Sequence, residues 1–203
     1  MTFEHERTVL DEAVRTCTRC PLAKTRTNAV PGEGPIPARV LFIGEAPGRS
    51  EDLKGVPFVG RAGTILDSLL ADIGLERDDV FITNIVKCRP PKNRDPSHEE
   101  IEACRHYLDD QLSLIRPVVI VPLGRFAMSW VLESYGIAPG GPISEVHGKI
   151  YRILTITGER IVIPVFHPAA TIYRPAYRES LAADFKTIRA VLDGGPVGEI
   201  KEQ

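Results

Sequence analysis

A chain of 203 residues is long enough for one compact domain with a sizeable core and short for two, so residues 1–203 read as a single domain. Lys and Arg number 25 against 27 Asp and Glu, and the net charge of -2 gives no whole-molecule signature of a nucleic-acid binder. Any site for nucleic acid therefore has to be local.

In chain order, the charged N-terminal MTFEHERTVLDEAVRTC reads as a helix before Cys17, not as a signal peptide. The longest apolar runs, such as PVVIVPLG, are strand-sized, so a cytoplasmic protein without a membrane span is expected. Strands are predicted at 39–44, 80–86, 118–123 and 161–166, each nearly continuous in Val, Ile, Leu and Phe, as in a parallel sheet covered on both faces. Helices are predicted at 62–73, 97–115, 125–135 and 175–192. Ser97 followed by Glu100 fits a capping box, and Pro175 suits a first helical turn. KIYRILT and RIVIPVF around TGER suggest a hairpin feeding the last strand, and residues 194–203 read as a loose tail. Strands alternating with helices define an open α/β sandwich, and such sheets bind ligands at the carboxyl ends of their strands.

Those ends carry chemistry. Glu45 follows the first strand with Phe58 further along its loop, Asn84 ends the second, and His167 follows the last. A carboxylate, an amide, an imidazole and an aromatic ring on one sheet edge suit a flat polar ring. The glycine-rich GEAPGRSEDLKGVPFVGRAG lacks the lysine of G-x4-G-K-[ST], which excludes a phosphate loop. The histidines at 5, 98, 106 and 147 read as ordinary surface or core groups.

Cys17 and Cys20 form C-x2-C, and Cys88 and Cys104 complete the number needed for a tetrathiolate site. Cys104 alone would pass for a small buried apolar residue. The second pair is split widely and no histidine stands at ligand spacing, which favours iron-sulfur over zinc without excluding zinc.

Together GEAPG, GVPFVGRAG, TNIVKCRPPKNRDP and HPAA, in this order, make the chain similar to the family-four, iron-sulfur uracil-DNA glycosylases from about Cys17 to the final helix. The resemblance implies a three-layer α/β/α sandwich with a central four-stranded parallel sheet. It also implies a structural 4Fe-4S cluster on Cys17, Cys20, Cys88 and Cys104, and hydrolysis of the N-glycosidic bond of uracil flipped out of DNA. In such a site Phe58 stacks on the base, and the Asn84 amide matches the donor and acceptor edge of uracil but not of cytosine. His167 donates to the leaving uracil anion. The backbone of Gly44, Glu45 and Ala46 also faces the base, and Glu51 closes the side towards C5. Family-one relatives carry a water-orienting aspartate where this chain has Ala46, so the part played by Glu45 stays open between water, base and loop. Lys87, Arg89, Lys92, Arg94 and Arg174, with Arg178, are expected at phosphates, and a side chain within 172–174 at the gap left by the base.

Uracil-containing DNA is the implied partner, other DNA repair proteins are candidate contacts, and the chain is expected to act as a monomer. Two other readings use the same residues: an iron-sulfur DNA-binding or electron-transfer protein, and a superfamily glycosylase for other deaminated bases. A relative that traps its product covalently would carry an added basic loop with a nucleophilic histidine, which GRSEDLKGVPFVG lacks.

Overall fold

The computed structural model describes residues 3–156, 158–194 and 200–201. The chain runs α1 (Phe3–Thr16), β1 (Val40–Gly44), α2 (Arg49–Lys54), α3 (Arg61–Asp72), β2 (Phe81–Asn84), α4 (His98–Ile115), β3 (Val119–Pro122) and α5 (Arg125–Ser134). It continues with α6 (Ile143–Val146), β4 (Ile150–Thr155), β5 (Gly158–Val162), α7 (Ala170–Tyr173), α8 (Tyr177–Leu192) and β6 (Ile200–Lys201). The strands form one sheet in the order β2-β1-β3-β5-β4-β6. The expected four parallel strands are its β2-β1-β3-β5 part. The sheet is nevertheless larger than four: β4 pairs antiparallel with β5, closing the expected hairpin, and β6 lies parallel to β4.

The apolar strands are buried on both sides because successive side chains point to opposite faces. Leu41 and Ile43 of β1 join Phe81 and Ile120 in a core shared with Leu10 and Val14 of α1, Leu108 of α4 and Val131 of α5. Val40 and Phe42 join Ile82 and Val121 in the opposite core, with Leu66 and Leu70 of α3 and Leu181 and Phe185 of α8. This is the three-layer α/β/α sandwich. The capping box of α4 forms as expected: Ser97 Oγ accepts from Glu100 N at 3.3 Å, and Glu100 Oε2 accepts from Ser97 N at 2.8 Å.

Three boundaries differ from expectation. The last parallel strand begins at Gly158 and ends at Val162, because Pro164 has no N–H for a regular ladder. The chain still runs alongside β3, with Ile163 N donating to Ile120 O and Val165 N to Pro122 O, both at 3.0 Å, and this carries His167 to the sheet edge. The last helix starts at Tyr177, after the separate short turn of α7. Of the expected tail, residues 195–199, 202 and 203 lie outside the described residues, whereas Ile200 and Lys201 pair with Ile150 and Tyr151.

Chain order passes from β1 to β2 on one side and then to β3 on the other side of β1. The crevice at this reversal lies outside the carboxyl end of β1, the place where open α/β sheets hold ligands.

Candidate active site

A cavity of about 420 Å³ opens at that edge and brings together Glu45, Ala46, Glu51, Phe58, Asn84 and His167. Gly44 lies directly beneath them. A Cβ there would stand 2.8 Å from Phe58 Cζ and collide with Asn84 Oδ1, so only glycine lets the ring and the amide close over the end of β1.

Phe58 sits in an unusual loop. Its backbone adopts φ 49, a left-handed conformation that a large side chain takes only when its surroundings enforce it. Arg77 donates to Pro57 O at 2.6 Å and Phe58 O at 3.2 Å, and its guanidinium is itself held by Glu33 at 2.9 Å and Asp67 at 2.8 Å. Glu51 Oε1 accepts from Val59 N at 2.9 Å and Gly60 N at 2.8 Å. On the far side, a Cβ at Gly63 would run into the Phe58 carbonyl. The loop is thus clamped by a cation on its carbonyls, an anion on its amides and a bare helix at its back.

His167 faces Phe58, with ring centroids 5.6 Å apart and planes 28° from parallel. The Ala169 N–H donates to His167 Nδ1 at 3.2 Å, which places the ring proton of the neutral imidazole on Nε2. Burial pushes the histidine pKa down to about 4, against a smaller opposing effect of the Glu51 charge, so at neutral pH the ring is an uncharged donor. Close passage of the Gly124 backbone, where a Cβ would stand 3.0 Å from His167 Cβ, fixes its root. The Asn84 side chain is 2% exposed, and among the described hydrogen bonds its amide makes none, leaving both donor and acceptor for whatever enters the cavity.

Burial pushes the Glu45 carboxyl up to about 7, reinforced by the Asp95 carboxylate and moderated by Arg125. Asp95 also lines the cavity, and Arg125 binds it at 3.0 Å.

The basic residues separate. Lys92 and Arg174 are exposed, the latter donating to Tyr177 Oη at 2.7 Å, and Arg178 is exposed beside them. Arg89 is half-buried and donates to Asn93 Oδ1 at 2.6 Å; Arg94, on the cavity wall, pairs with Glu100 at 2.6 Å. Lys87 does not belong with them: it is 1% exposed and cannot reach a phosphate. The strand end turns it inward, where Nζ donates to Thr83 Oγ1 and Asn84 O at 2.7 Å and to Gln111 Oε1 at 2.6 Å.

Cys17, Cys20, Cys88 and Cys104 line one hollow between α1, α4 and the segment after β2. All four are free thiols, and among the described residues no three His, Cys, Asp or Glu side chains stand close enough to hold a single metal ion. Donors nevertheless point at sulfur: Arg26 Nη1 to Cys88 Sγ at 2.9 Å, and the Lys87 N–H to Cys104 Sγ at 3.3 Å.

Sequence reasoning missed Arg77, Gly63, Asp95 and Arg125. A glycine in the first turn of a predicted helix was the one readable signal, since helix interiors disfavour it unless something approaches closely.

A family model described as the uracil DNA glycosylase superfamily matches residues 31–190. A type-4 uracil-DNA glycosylase of Archaeoglobus fulgidus is 52% identical over 182 residues, 88% of this chain and 91% of that protein. Another from Sulfurisphaera tokodaii is 50% identical over 181 residues, covering 89% and 82%. One from Thermotoga maritima is 46% identical over 168 residues, covering 83% and 84%. The match extends along nearly the whole sheet and through every wall of the cavity, and the chain belongs to the uracil DNA glycosylase superfamily.

Proposed function

We propose that the protein is a monofunctional uracil-DNA glycosylase, hydrolysing the N-glycosidic bond of a flipped uracil and leaving an abasic site. The observation that carries this reading is the convergence of Phe58, Asn84, His167 and Glu45 on one cavity at the carboxyl edge of the sheet.

The base enters against the Phe58 ring, where stacking is worth about 1–3 kcal/mol. The unpaired Asn84 amide accepts from N3–H and donates to O4. Cytosine presents the reverse pattern and would leave buried polar groups unmatched, which is the stronger form of discrimination. As the bond to C1′ breaks, the electron pair passes to the base and negative charge gathers at O2. The neutral His167 Nε2–H, already oriented by its Nδ1 partner, donates to that oxygen without first giving up a charge of its own. The sugar becomes oxocarbenium-like and is captured by water. Ala46 has no group to orient that water, and Glu45 does so in its place, since a carboxyl with a pKa near 7 is matched to accepting a proton at neutral pH. Glu51 lines the cavity and anchors the Phe58 loop, so its carboxylate supports the stacking ring as well as the wall beside the base.

DNA lies across the cavity mouth, contacted by Lys92, Arg94 and Arg174 with Arg89 behind them, and Tyr173, 83% exposed on α7, is suited to fill the gap left by the base. No helix among the described residues is long and apolar enough to cross a membrane. The four thiols are the donor set for a structural 4Fe-4S cluster. The four thiols share one hollow, and N–H donors on three of the sulfurs, those of Cys17, Cys88 and Cys104, suit thiolate ligands. When bound, the cluster supplies a cross-link between the N-terminal segment and the stretch after β2, and hydrolysis draws no electrons from it.

The test is incubation of the purified protein with a single-uracil oligonucleotide, followed by alkali. Strand cleavage at the uracil position is expected. An intact strand at enzyme excess would sink the proposal.

A further inference from the structure

Lys87 is the anomaly of the interior. A lysine is rarely fully buried without an acid beside it, because taking an ammonium out of water is costly unless an opposite charge compensates. Here the side chain is 1% exposed and its three donors are spent on three neutral oxygens: the Thr83 hydroxyl, the Asn84 backbone carbonyl and the Gln111 amide carbonyl. Among the described residues no carboxylate lies within ion-pair distance of it. Asp11, the acid in its neighbourhood, is turned to Arg7 at 3.6 Å and Arg15 at 3.9 Å. What Lys87 does touch is the cysteine hollow: it lines that cavity, precedes Cys88 in the chain, and its own N–H donates to Cys104 Sγ at 3.3 Å.

At its other end the same residue holds the base-reading strand end. Lys87 Nζ grips the backbone carbonyl of Asn84 and the hydroxyl of Thr83, and Gln111 of α4 completes the cradle while donating to Pro31 O at 2.7 Å. One residue thus spans the gap between the thiols and the amide that faces the base.

We propose that Lys87 is a positioning residue whose buried ammonium balances the negative charge of the thiolate-bound cluster and, through the Asn84 carbonyl, ties occupancy of the cysteine site to the geometry of base recognition. The inference rests on the cluster reading above. It differs from a merely structural lysine in one respect: its charge is needed because the thiolates are there, and the thiolates are tolerated because its charge is there.

The experiment begins with the iron content of the wild-type protein as purified without oxygen, since absence of iron removes the cluster reading and is told apart from failure of the coupling. Two variants follow, Lys87→Met and the double variant Lys87→Met with Gln111→Leu, the second removing one of the three acceptors from which the first takes the donor. Both are expected to lose iron to a chelator about tenfold faster or more, followed by the visible absorption. Their cluster potentials should lie more negative than wild type, because loss of a nearby positive charge disfavours the added electron. A double variant that regains thermal stability yet keeps both defects separates charge balance from packing. Iron loss and potential equal to wild type would overturn the proposal. Independently of either variant, iron-stripped wild-type protein should show faster amide exchange over residues 81–88; exchange there unchanged by iron removal overturns the link to Asn84.

Discussion

In the proposed mechanism His167 donates only while it is neutral and correctly protonated, and its surroundings secure both. Burial keeps it uncharged down to about pH 4, and the Ala169 N–H occupies Nδ1. Replacing it with alanine removes an interaction made only as charge develops on the base. Single-turnover uracil release should fall about 100- to 1,000-fold with DNA affinity nearly unchanged; an unaltered rate removes His167 from the leaving-group role. In the same proposed mechanism Glu45 sets the other limb. Its folded pKa is raised to about 7, so the ionised form that accepts a proton from water is scarce below that value and dominant above it. Plotted against pH, kcat/KM should therefore rise through about 7, with no fall on the acid side attributable to His167 until about 4. In Glu45→Gln the rise near 7 should vanish along with most of the rate. A profile unchanged by that substitution assigns the ionisation elsewhere.

The loop from Pro57 to Gly60 and the helix α3 behind it act as one unit. In most helices exchange of glycine for alanine adds stability, about 0.5–1 kcal/mol. At Gly63 the sign should reverse, because the new methyl would meet the Phe58 carbonyl. Gly63→Ala is expected to cost about 1–3 kcal/mol in urea denaturation and to raise KM for uracil-containing DNA as the ring is pushed from its place. A stabilised variant with normal KM would show that the loop yields freely. This unit also marks where legibility in the sequence ended. The four parallel strands announced themselves as continuous apolar runs, and the residues at their ends followed directly, which is why Glu45, Asn84 and His167 were readable. The left-handed Phe58 and its Arg77 clamp were not, since positive φ at a phenylalanine has no local signature and Arg77 comes from a turn that reads as ordinary surface. Lys87 failed for the opposite reason. Beside arginines in a basic stretch it looked like a phosphate contact, and only tertiary packing turns it inward.

For the molecule entire, a net charge of -2 supplies no overall attraction to DNA, so on the proposed reading affinity rests on a few cations near the cavity. The logarithm of the binding constant should fall linearly with the logarithm of salt. Lys92→Ala and Arg174→Ala should each reduce the slope by about one, and Lys87→Met should leave it unaltered. Equal slopes for all three would mean that the contacting surface lies elsewhere. The cavity itself draws its walls from three separate strand ends, with Glu45 early in the chain, Asn84 midway and His167 near the close. During synthesis, then, the residues proposed to read the base leave the ribosome well before the one proposed to stabilise its departure. A chain that stops short of His167 lacks one wall of the cavity. On the proposed reading such a chain lacks the donor that stabilises the departing base, so release of uracil waits for the last strand end.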